Sequence, residues 1–525
     1  MKKSTIIVLI YLASGIGITF GQQDAALKRL IETEKFKQAK TMLQQNIELK
    51  PDDGANYYWL GKIHFSEARH DSALIYFKKG KDKTKNGWMN LIGMGLLSLD
   101  NKDSVTAKSN FSSALMQTDE KNFQYYYLVG DAWIHSEIRN SQNGLKMADK
   151  CLSLEKNNGD AMILQGDAWL LKLEGGGQAL TSYENAADKY PASPIPLLKI
   201  GKLYLRAKNY SLGVDYLKKA ITKDSTFAPA YRELAEYYFS IKKNSESRTN
   251  YEKFLANSDT TEEVLTHYLY TCFLSKDYEK SISLAEQLQG SNFNSFVLNR
   301  ITAYSYYEKG KYPEGLTSIQ QLFSNPDKTH LIADDYTYYG KLLAKSKQDS
   351  LAIIYFQQSF EKDSTNKDLL GDIGKSALNT GKHELARDMF QKKISQSTPI
   401  PLDYYNLGQA LYYLKDYANA DSAFLKLTVM QPAFYQGFLF RARCNNLIDT
   451  LAKTDVAKLN YEKVVEMAGA DPVKNKKHLI ESYDYLGFYA VQKDDKPNAI
   501  INFRKELELD PENKRVAKYL KDLNK

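Results

Sequence analysis

The chain has 525 residues, of which 43% are hydrophobic, 26% are charged and only 13 are proline. This length exceeds that of most single compact domains, and the hydrophobic content is far above that of a disordered chain. We therefore expect several domains or a repeat array with a large buried core. The formal net charge of +8 is distributed without a basic run or stripe, which argues against nucleic-acid binding.

The N-terminus has the composition of a secretory signal peptide. Two lysines follow Met1, an apolar run covers residues 6–20, and small residues precede a cleavage position after Gly21. We therefore predict that residues 1–21 are a signal peptide and that the protein is exported, most simply to the periplasm. An uncleaved N-terminal anchor is the alternative. No second apolar run near 20 residues follows, so we predict no membrane span in the mature chain.

Pairs of helix-forming segments, separated by a short break, recur along the rest of the chain. The clearest copy spans residues 402–432, where apolar residues have helical spacing on both sides of the break. Gly408 and Ala420 are small where the two helices would cross, and Phe424 fills the space beside them. Pro432 ends the second helix because proline has no N–H to donate. This copy is a predicted helix–turn–helix hairpin.

The small residue of the first helix recurs in phase along the chain. Successive copies lie 34 to 37 residues apart until a last step of 45. The positions are Gly61, Gly95, Gly130, Gly166, Gly201, Ala235, Leu269, Ala303, Gly340, Gly374, Gly408, Ala442 and Gly487. The equivalent of Ala420 in the second helix is small in every copy, from Ala39 to Ala499. Both series predict about fourteen helix hairpins.

This repeat resembles the tetratricopeptide repeat (TPR), and the resemblance covers nearly all of the mature chain. It implies an all-α fold, an α-solenoid of about fourteen TPR helix–turn–helix units that coils into a right-handed superhelix. Residues such as Gly408, Ala420 and Phe424 are packing residues. The resemblance therefore specifies the fold closely and says little about the function.

Departures from the repeat divide the chain into segments. Residues 259–331 match the repeat poorly, and we expect a joint between two arrays there, although weak matching alone would look the same. The predicted segments are an N-terminal array at 22–258, the weakly matching section at 259–331, and a C-terminal array at 332–525 with insertions near 447–455 and 468–477 and a closing helix at 513–523.

The residue patterns that carry catalysis or metal binding are missing from the sequence. The seven histidines form no i, i+4 pair, and the chain contains no CxxC, GxSxG or phosphate-loop motif. The three cysteines lie more than 100 residues apart, so we expect buried free thiols rather than disulfides. We predict no enzyme activity, no metal site and no cofactor.

The TPR resemblance also implies which residues contact a ligand. In TPR arrays the first helices line a concave groove, and fixed positions of each unit face the bound peptide. When each copy of the repeat is aligned with the family's repeat, the resemblance assigns these ligand-contacting positions to Tyr58, Lys62, Tyr127, Asp131, Lys202, Arg206, Arg232, Glu236, Tyr405, Gln409 and Tyr412. Outward tyrosines would supply large, rigid contact area with a hydroxyl group. Core packing for the tyrosines and solvated surface positions for the charges are the ordinary alternatives.

The observations favour a non-enzymatic interaction scaffold of the bacterial cell envelope. Its groove would hold a peptide or a partner protein, for example during the assembly of an envelope complex. Two alternatives are a module that binds glycan or peptidoglycan through exposed tyrosines, and a regulatory subunit of an envelope enzyme. The C-terminal third contains both insertions as well as Tyr405, Gln409 and Tyr412, so we expect the partner site there first.

Overall fold

The described part of the chain consists of successive pairs of helices and one last helix. The computed structural model describes residues 22–290 and 295–524, so the predicted signal peptide lies outside the described residues. These residues form 29 α-helices and no β-strand, apart from one isolated bridge between Asp53 and Lys85. In chain order the described helices form fourteen successive pairs, followed by one last helix. The predicted all-α array of about fourteen units is confirmed.

The chain divides into two compact units between Leu284 and Ala285. We call the odd-numbered helices first helices and the even-numbered ones second helices. The helices of the first unit are α1 (Gln22–Glu32), α2 (Phe36–Leu49), α3 (Gly54–Ser66), α4 (His70–Gly80), α5 (Gly87–Asp100), α6 (Ser104–Leu115), α7 (Phe123–His135), α8 (Ser141–Leu154), α9 (Gly159–Trp169), α10 (Gly176–Lys189), α11 (Ile195–Arg206), α12 (Tyr210–Lys223), α13 (Ala228–Ser240), α14 (Asn244–Asn257) and α15 (Glu262–Leu274).

Helix α16 (Tyr278–Gly290) contains the boundary between the units, inside the predicted joint at 259–331, which stays a prediction. The helices that follow it are α17 (Phe296–Glu308), α18 (Tyr312–Ser324), α19 (Ala333–Lys345), α20 (Asp349–Lys362), α21 (Asp368–Asn379), α22 (His383–Gln396), α23 (Pro401–Tyr413), α24 (Tyr417–Met430), α25 (Tyr435–Ile448), α26 (Val456–Ala468), α27 (Lys476–Gln492), α28 (Lys496–Leu509) and α29 (Lys514–Leu523).

Close helix approach explains the small residues of the repeat. A Cβ atom added to Gly408 on α23 would lie 2.6 Å from the ring of Phe424 on α24, which is shorter than real Cβ contacts. Ala420, the small residue of the second helix, is fully buried. The same glycine–aromatic contact joins Gly61 to Phe77, Gly95 to Phe111, Gly166 to Tyr183, Gly340 to Phe356, Gly374 to Phe390 and Gly487 to Phe503. The glycines therefore set the distance between the two helices of a hairpin.

The turn within the α23–α24 hairpin contains one residue in the left-handed conformation. Lys415 has a φ of 64°, and the N–H of Asp416 donates to the carbonyl of Leu411 at 2.9 Å. This hydrogen bond is that of a Schellman motif, which satisfies the free carbonyls at the end of a helix. The side chain of Asp416 then accepts from the N–H of Asn419 and caps the second helix. One short segment thus ends one helix and begins the next.

Two long turns lie near the C-terminal end of the second unit. The turn between α25 and α26 covers residues 449–455, and the turn between α26 and α27 covers residues 469–475. The last helix, α29, buries Val516 against the core cluster that includes Phe503. These long turns matter because the first of them borders the cavity described below.

Candidate binding surfaces

The predicted groove residues fall into accessible and inaccessible groups. In the first unit Lys202 and Glu236 are half-buried and Arg206 is exposed. In the second unit all three predicted residues are half-buried, namely Tyr405, Gln409 and Tyr412. The remaining predicted residues are buried, and these are Tyr58, Lys62, Tyr127, Asp131 and Arg232.

A buried network of charges engages Lys62 and Asp131. The ammonium of Lys62 on α3 pairs with one carboxylate oxygen of Asp131 on α7. The other oxygen lies 2.7 Å from Nδ1 of His135. Burial alone would raise the pKa of Asp131, but Lys62 and His135 outweigh it and hold that pKa well below its usual value. Both predicted residues therefore already have strong partners inside the protein.

The same network continues along the neighbouring first helices. Nε2 of His135 lies 3.9 Å from Asp167 on α9, and Nζ of Lys199 on α11 lies 2.8 and 2.9 Å from the two oxygens of that carboxylate. The hydroxyl of Tyr183 donates to Asp167 at 2.6 Å. Buried charges are tolerated when they are paired and hydrogen-bonded in this way.

Helix α1 belongs to the core of the first unit and bonds to residues far along the chain. Leu27 and Ile31 are 3% and 0% exposed, and both belong to the core cluster that contains Tyr58. Lys28 reaches Asp160, which lies 132 residues away in sequence, at 3.5 Å. Arg29 donates to Thr226 at 2.8 Å across 197 residues. The N-terminal helix of the first unit is thus bound by the unit's own later hairpins.

A second buried ion pair closes the first unit beside α1. Arg232 on α13 pairs with Glu34, which follows α1 and lies 198 residues earlier. The N–H of Asp259 donates to the carbonyl of Glu34 at 3.1 Å. Glu236 is also engaged, because it accepts from Tyr251 and lies 3.1 Å from Nδ1 of His267. Arg232 and Glu236 therefore join separate segments of the first unit.

The second unit contains an open cavity of about 480 Å³ on its first helices. Side chains from α23, α25, α26 and α27 line it, together with the long turn at 449–455. The volume lies in the range of small-ligand or side-chain pockets in proteins. The lining residues are Tyr412, Arg443, Asn446, Leu447, Asp449, Thr450, Ala452, Tyr461, Glu481, Asp484, Tyr485, Phe488, Tyr489 and Gln492. We call this cavity the C-terminal pocket.

An ion pair with two parallel hydrogen bonds lies in the C-terminal pocket. Nε and Nη2 of Arg443 each donate to one oxygen of Glu481 at 2.7 Å. This hydrogen bonding raises the pKa of Arg443 further, so the guanidinium stays charged. The hydroxyl of Tyr461 also donates to Glu481, at 3.3 Å. The pair fixes α25 against α27 at the site.

Aromatic rings dominate the rest of the pocket. Tyr461 and Tyr485 are stacked with ring centroids 4.5 Å apart, and Tyr489 donates its hydroxyl to Asp455. Burial raises the pKa of Tyr412 and of Tyr485, so both hydroxyls are protonated and able to donate at neutral pH. Half-buried tyrosines with accessible rings are the residue type that supplies most contact energy at protein interfaces.

The end of α25 and the long turn that follows it present aliphatic side chains to solvent. Leu447, Ile448 and Leu451 are 42%, 53% and 62% exposed. Gln492 on α27 donates to the carbonyl of Leu451 at 3.2 Å, which holds the turn at the pocket. Three exposed aliphatic residues within five positions, next to an aromatic cavity, are typical of an interaction surface.

The three predicted residues of the second unit have different roles. Tyr412 lines the C-terminal pocket. Tyr405 instead packs its ring edge-on against Phe424, Phe434 and Phe440, at centroid distances of 6.2, 5.5 and 5.9 Å. Gln409 is half-buried on the same helix, outside the residues that line the pocket.

The repeat pattern did not identify most of the pocket. Tyr485 and Tyr489 are four residues apart on α27, so they share one helix face. The spacing of these two tyrosines, close to the insertion at 468–477, is the sequence feature that could have indicated the pocket. The pattern gave no sign that Arg443 and Glu481 pair, because their separation of 38 residues includes both long turns.

The three cysteines are buried and free, as predicted. Within residues 22–290 and 295–524, no group of three or more His, Cys, Asp or Glu side chains is arranged to hold a metal ion. None of the helices in that described part combines the length and apolar content that a membrane crossing requires.

Comparisons with known proteins found one family model and several solved structures that are similar to this chain. A family model described as "Tetratricopeptide repeat" matches residues 404–434. The chain is also similar to the crystal structure of the C-terminal part of a TPR repeat-containing protein from Cytophaga hutchinsonii. The sequence identity is 36%, the TM-score is 0.42, and the alignment covers 48% of this chain and 98% of that chain.

Two other solved structures are less similar in sequence. The Cut9–Hcn1 hetero-tetramer of the APC/C has 14% identity and a TM-score of 0.34, with 99% of this chain and 98% of that chain covered. PilW, described as a widely conserved type IV pilus biogenesis factor, has 17% identity and a TM-score of 0.32, with 40% and 94% covered. No curated protein matches the chain.

Proposed function

Because the chain belongs to the tetratricopeptide repeat family, we propose that it is an interaction scaffold that binds a protein partner at the C-terminal pocket. Such repeats generally act as non-catalytic binding scaffolds. The observation that carries the proposal is the open aromatic cavity of about 480 Å³ on the first helices of the second unit. In the first unit, by contrast, α1 and internal ion pairs occupy the equivalent side chains.

A protein partner suits this surface better than a glycan. Aromatic rings alone would serve either ligand, since sugars also stack on tyrosine. The exposed aliphatic side chains of Leu447, Ile448 and Leu451 favour a partner with apolar side chains of its own. The aromatic residues of the pocket would anchor the partner, and the exposed aliphatic side chains beside the pocket would enlarge the contact surface.

The predicted groove residues contribute to the proposal in unequal ways. We assign Tyr412 to direct contact with the partner and Tyr405 to support of the helix that carries it. Gln409 is accessible enough to contribute at the edge. Lys202 pairs with Glu233, Glu236 is engaged by Tyr251 and His267, and Arg206 is exposed, so we assign none of these three residues to the C-terminal pocket.

The proposed compartment is the bacterial cell envelope, with the periplasm as the favoured location. The support comes from the sequence of residues 1–21, which lie outside the described structure. N-terminal sequencing of the protein purified from an envelope fraction tests this part. A mature chain that begins at Gln22 supports export, and a chain that keeps Met1 in a cytosolic fraction contradicts it.

Site-specific photo-crosslinking tests the partner site. A photoreactive phenylalanine analogue replaces Tyr489 in the pocket or, as the control, the 42%-exposed Tyr210 on α12 of the first unit. The proposal expects one discrete crosslinked protein from position 489 and not from position 210. Identical crosslinking at both positions, or none at 489, would contradict the assignment of this site.

A further inference from the structure

We propose that the C-terminal pocket receives a basic side chain of the partner, with the guanidinium of arginine as the best fit. This inference rests on the proposed function, since it names the chemical group that a protein partner would insert. Three features of the pocket carry it, namely the charges of its lining, its aromatic walls and the engagement of its one cation.

The charged groups that line the pocket are predominantly acidic. Asp449, Glu481 and Asp484 contribute three negative charges and Arg443 one positive charge, so the lining sums to −2 at neutral pH. Arg515 pairs with Asp484 from outside the lining, so the lining together with this partner sums to −1, and Asp449 carries the remaining charge. A cation entering the cavity is therefore attracted by its walls, and an anion is repelled.

The aromatic walls favour a cation as well. Tyr412, Tyr485 and Tyr489 line the cavity with half-buried rings, whose faces attract a positive charge. Tyr461 is buried against Tyr485, and the guanidinium of Arg515 already lies 4.9 Å from the ring centre of Phe488. The protein itself uses this attraction nearby, where Nζ of Lys493 lies 5.5 Å from the ring centre of Tyr489. A planar guanidinium can stack on such rings and donate hydrogen bonds to carboxylates at the same time.

The only cation in the lining has little capacity left for an anionic ligand. Arg443 uses Nε and Nη2 on the two oxygens of Glu481. Its guanidinium carbon also lies 5.0 Å from the ring centre of Phe440. A partner carboxylate would have to compete with Glu481 for this fork, whereas a partner cation leaves the pair intact.

Small model ligands test the inference on the full-length protein. N-acetyl-arginine methylamide, its lysine counterpart, its neutral citrulline isostere and its glutamate counterpart are titrated and followed by saturation-transfer difference NMR. We expect the arginine compound to bind best and citrulline to bind about tenfold more weakly, because citrulline keeps the shape and loses the charge. We expect the glutamate compound to bind worst.

Matched variants place the binding at the pocket. Asp449→Asn removes a lining charge, and Asp388→Asn removes a charge from an exposed position elsewhere in the second unit. The first variant should weaken the arginine compound at least about threefold, and the second should leave its affinity unchanged. Tyr489→Leu should weaken it by a similar factor, because the apolar volume stays and the aromatic face is lost.

The outcomes separate this inference from the proposed function. Equal binding of arginine and citrulline, stronger binding of glutamate, or no binding of the arginine compound overturns the inference. If position 489 still crosslinks a partner in that case, the proposed function stands. If the arginine compound binds at the pocket and position 489 crosslinks nothing, the basic-group site stands and the scaffold assignment fails.

Discussion

At the residue scale, the glycine at position 408 of α23 shows how one added carbon atom changes the stability of a hairpin. Gly408→Ala places a methyl group 2.6 Å from the Phe424 ring. We expect it to lower the free energy of unfolding of the second unit by about 1–3 kcal/mol, because the hairpin is overpacked. Urea denaturation followed by circular dichroism measures the change.

The same chemical change has the opposite sign where space is open. Gly177 lies in α10, and a Cβ there meets no atom within 4 Å. Gly177→Ala should therefore leave stability unchanged or raise it by up to about 1 kcal/mol, since alanine is the better helix former. Equal destabilisation by both substitutions would show that close approach is not the reason for glycine at 408.

The left-handed residue in the hairpin turn gives a second pair of substitutions. Lys415 and Gly381 occupy equivalent turn positions with φ of 64° and 71°. Lys415→Gly should raise the free energy of unfolding by about 1 kcal/mol, because glycine adopts positive φ without strain. Gly381→Ala should lower it by a similar amount, although a Cβ there meets no atom within 4 Å. Denaturation midpoints that move in the same direction for both would contradict this account.

At the element scale, α1 decides what the first-helix side of the first unit can do. Ile31→Asp places a charge where the side chain is 0% exposed, so we expect α1 to detach from the later hairpins. Hydrogen exchange measured by mass spectrometry should accelerate in α1 and at Asp259. Ile75→Asp, at a position that is 52% exposed, is the matched control and should leave these rates unchanged.

The carboxyl group of Glu32 makes the same element sensitive to pH. Burial, more than the neighbouring Asp160, raises the pKa of Glu32 from 4.5 to about 7, although Lys28 opposes the shift. The folded state therefore holds an extra proton between these pH values, and stability falls as the pH rises through this window. The loss is at most on the order of 3 kcal/mol.

Glu32→Gln tests the contribution of this carboxyl group. The variant should be more stable than the wild type at pH 8 and should lose the decline between pH 4.5 and 7 that Glu32 causes. Thermal unfolding across this pH range is the measurement. Glu48→Gln, at an exposed position on α2, is the control and should follow the wild-type curve.

The number and packing of the hairpins could be predicted from the sequence because their determinants are local. Gly408, Ala420 and Phe424 lie within one repeat, and six other copies repeat the contact between the glycine and the aromatic ring. The binding of α1 could not be predicted in this way, because its partners Asp160 and Thr226 are 132 and 197 residues distant. Such pairings depend on how the hairpins stack, which a repeat motif does not encode.

At the scale of the whole molecule, the first helices of the two units differ in whether they are covered by the protein itself. In the first unit the first helices bury paired charges such as Lys62 with Asp131 and hold α1. In the second unit the first helices leave the C-terminal pocket open. The repeat alignment assigns ligand contacts to the same positions in both units. It cannot tell whether those side chains already pair with other residues of the protein or are free to contact a partner.

The central claim is that the second unit binds a partner protein through the C-terminal pocket. The most direct test is the affinity of the partner captured at position 489, measured by isothermal titration calorimetry with Tyr485→Ala and with Tyr238→Ala. Both tyrosines are half-buried on first helices, and only Tyr485 lines the pocket. We predict that Tyr485→Ala weakens binding at least about tenfold and that Tyr238→Ala leaves it unchanged. Equal affinity of both variants and the wild type would contradict the claim.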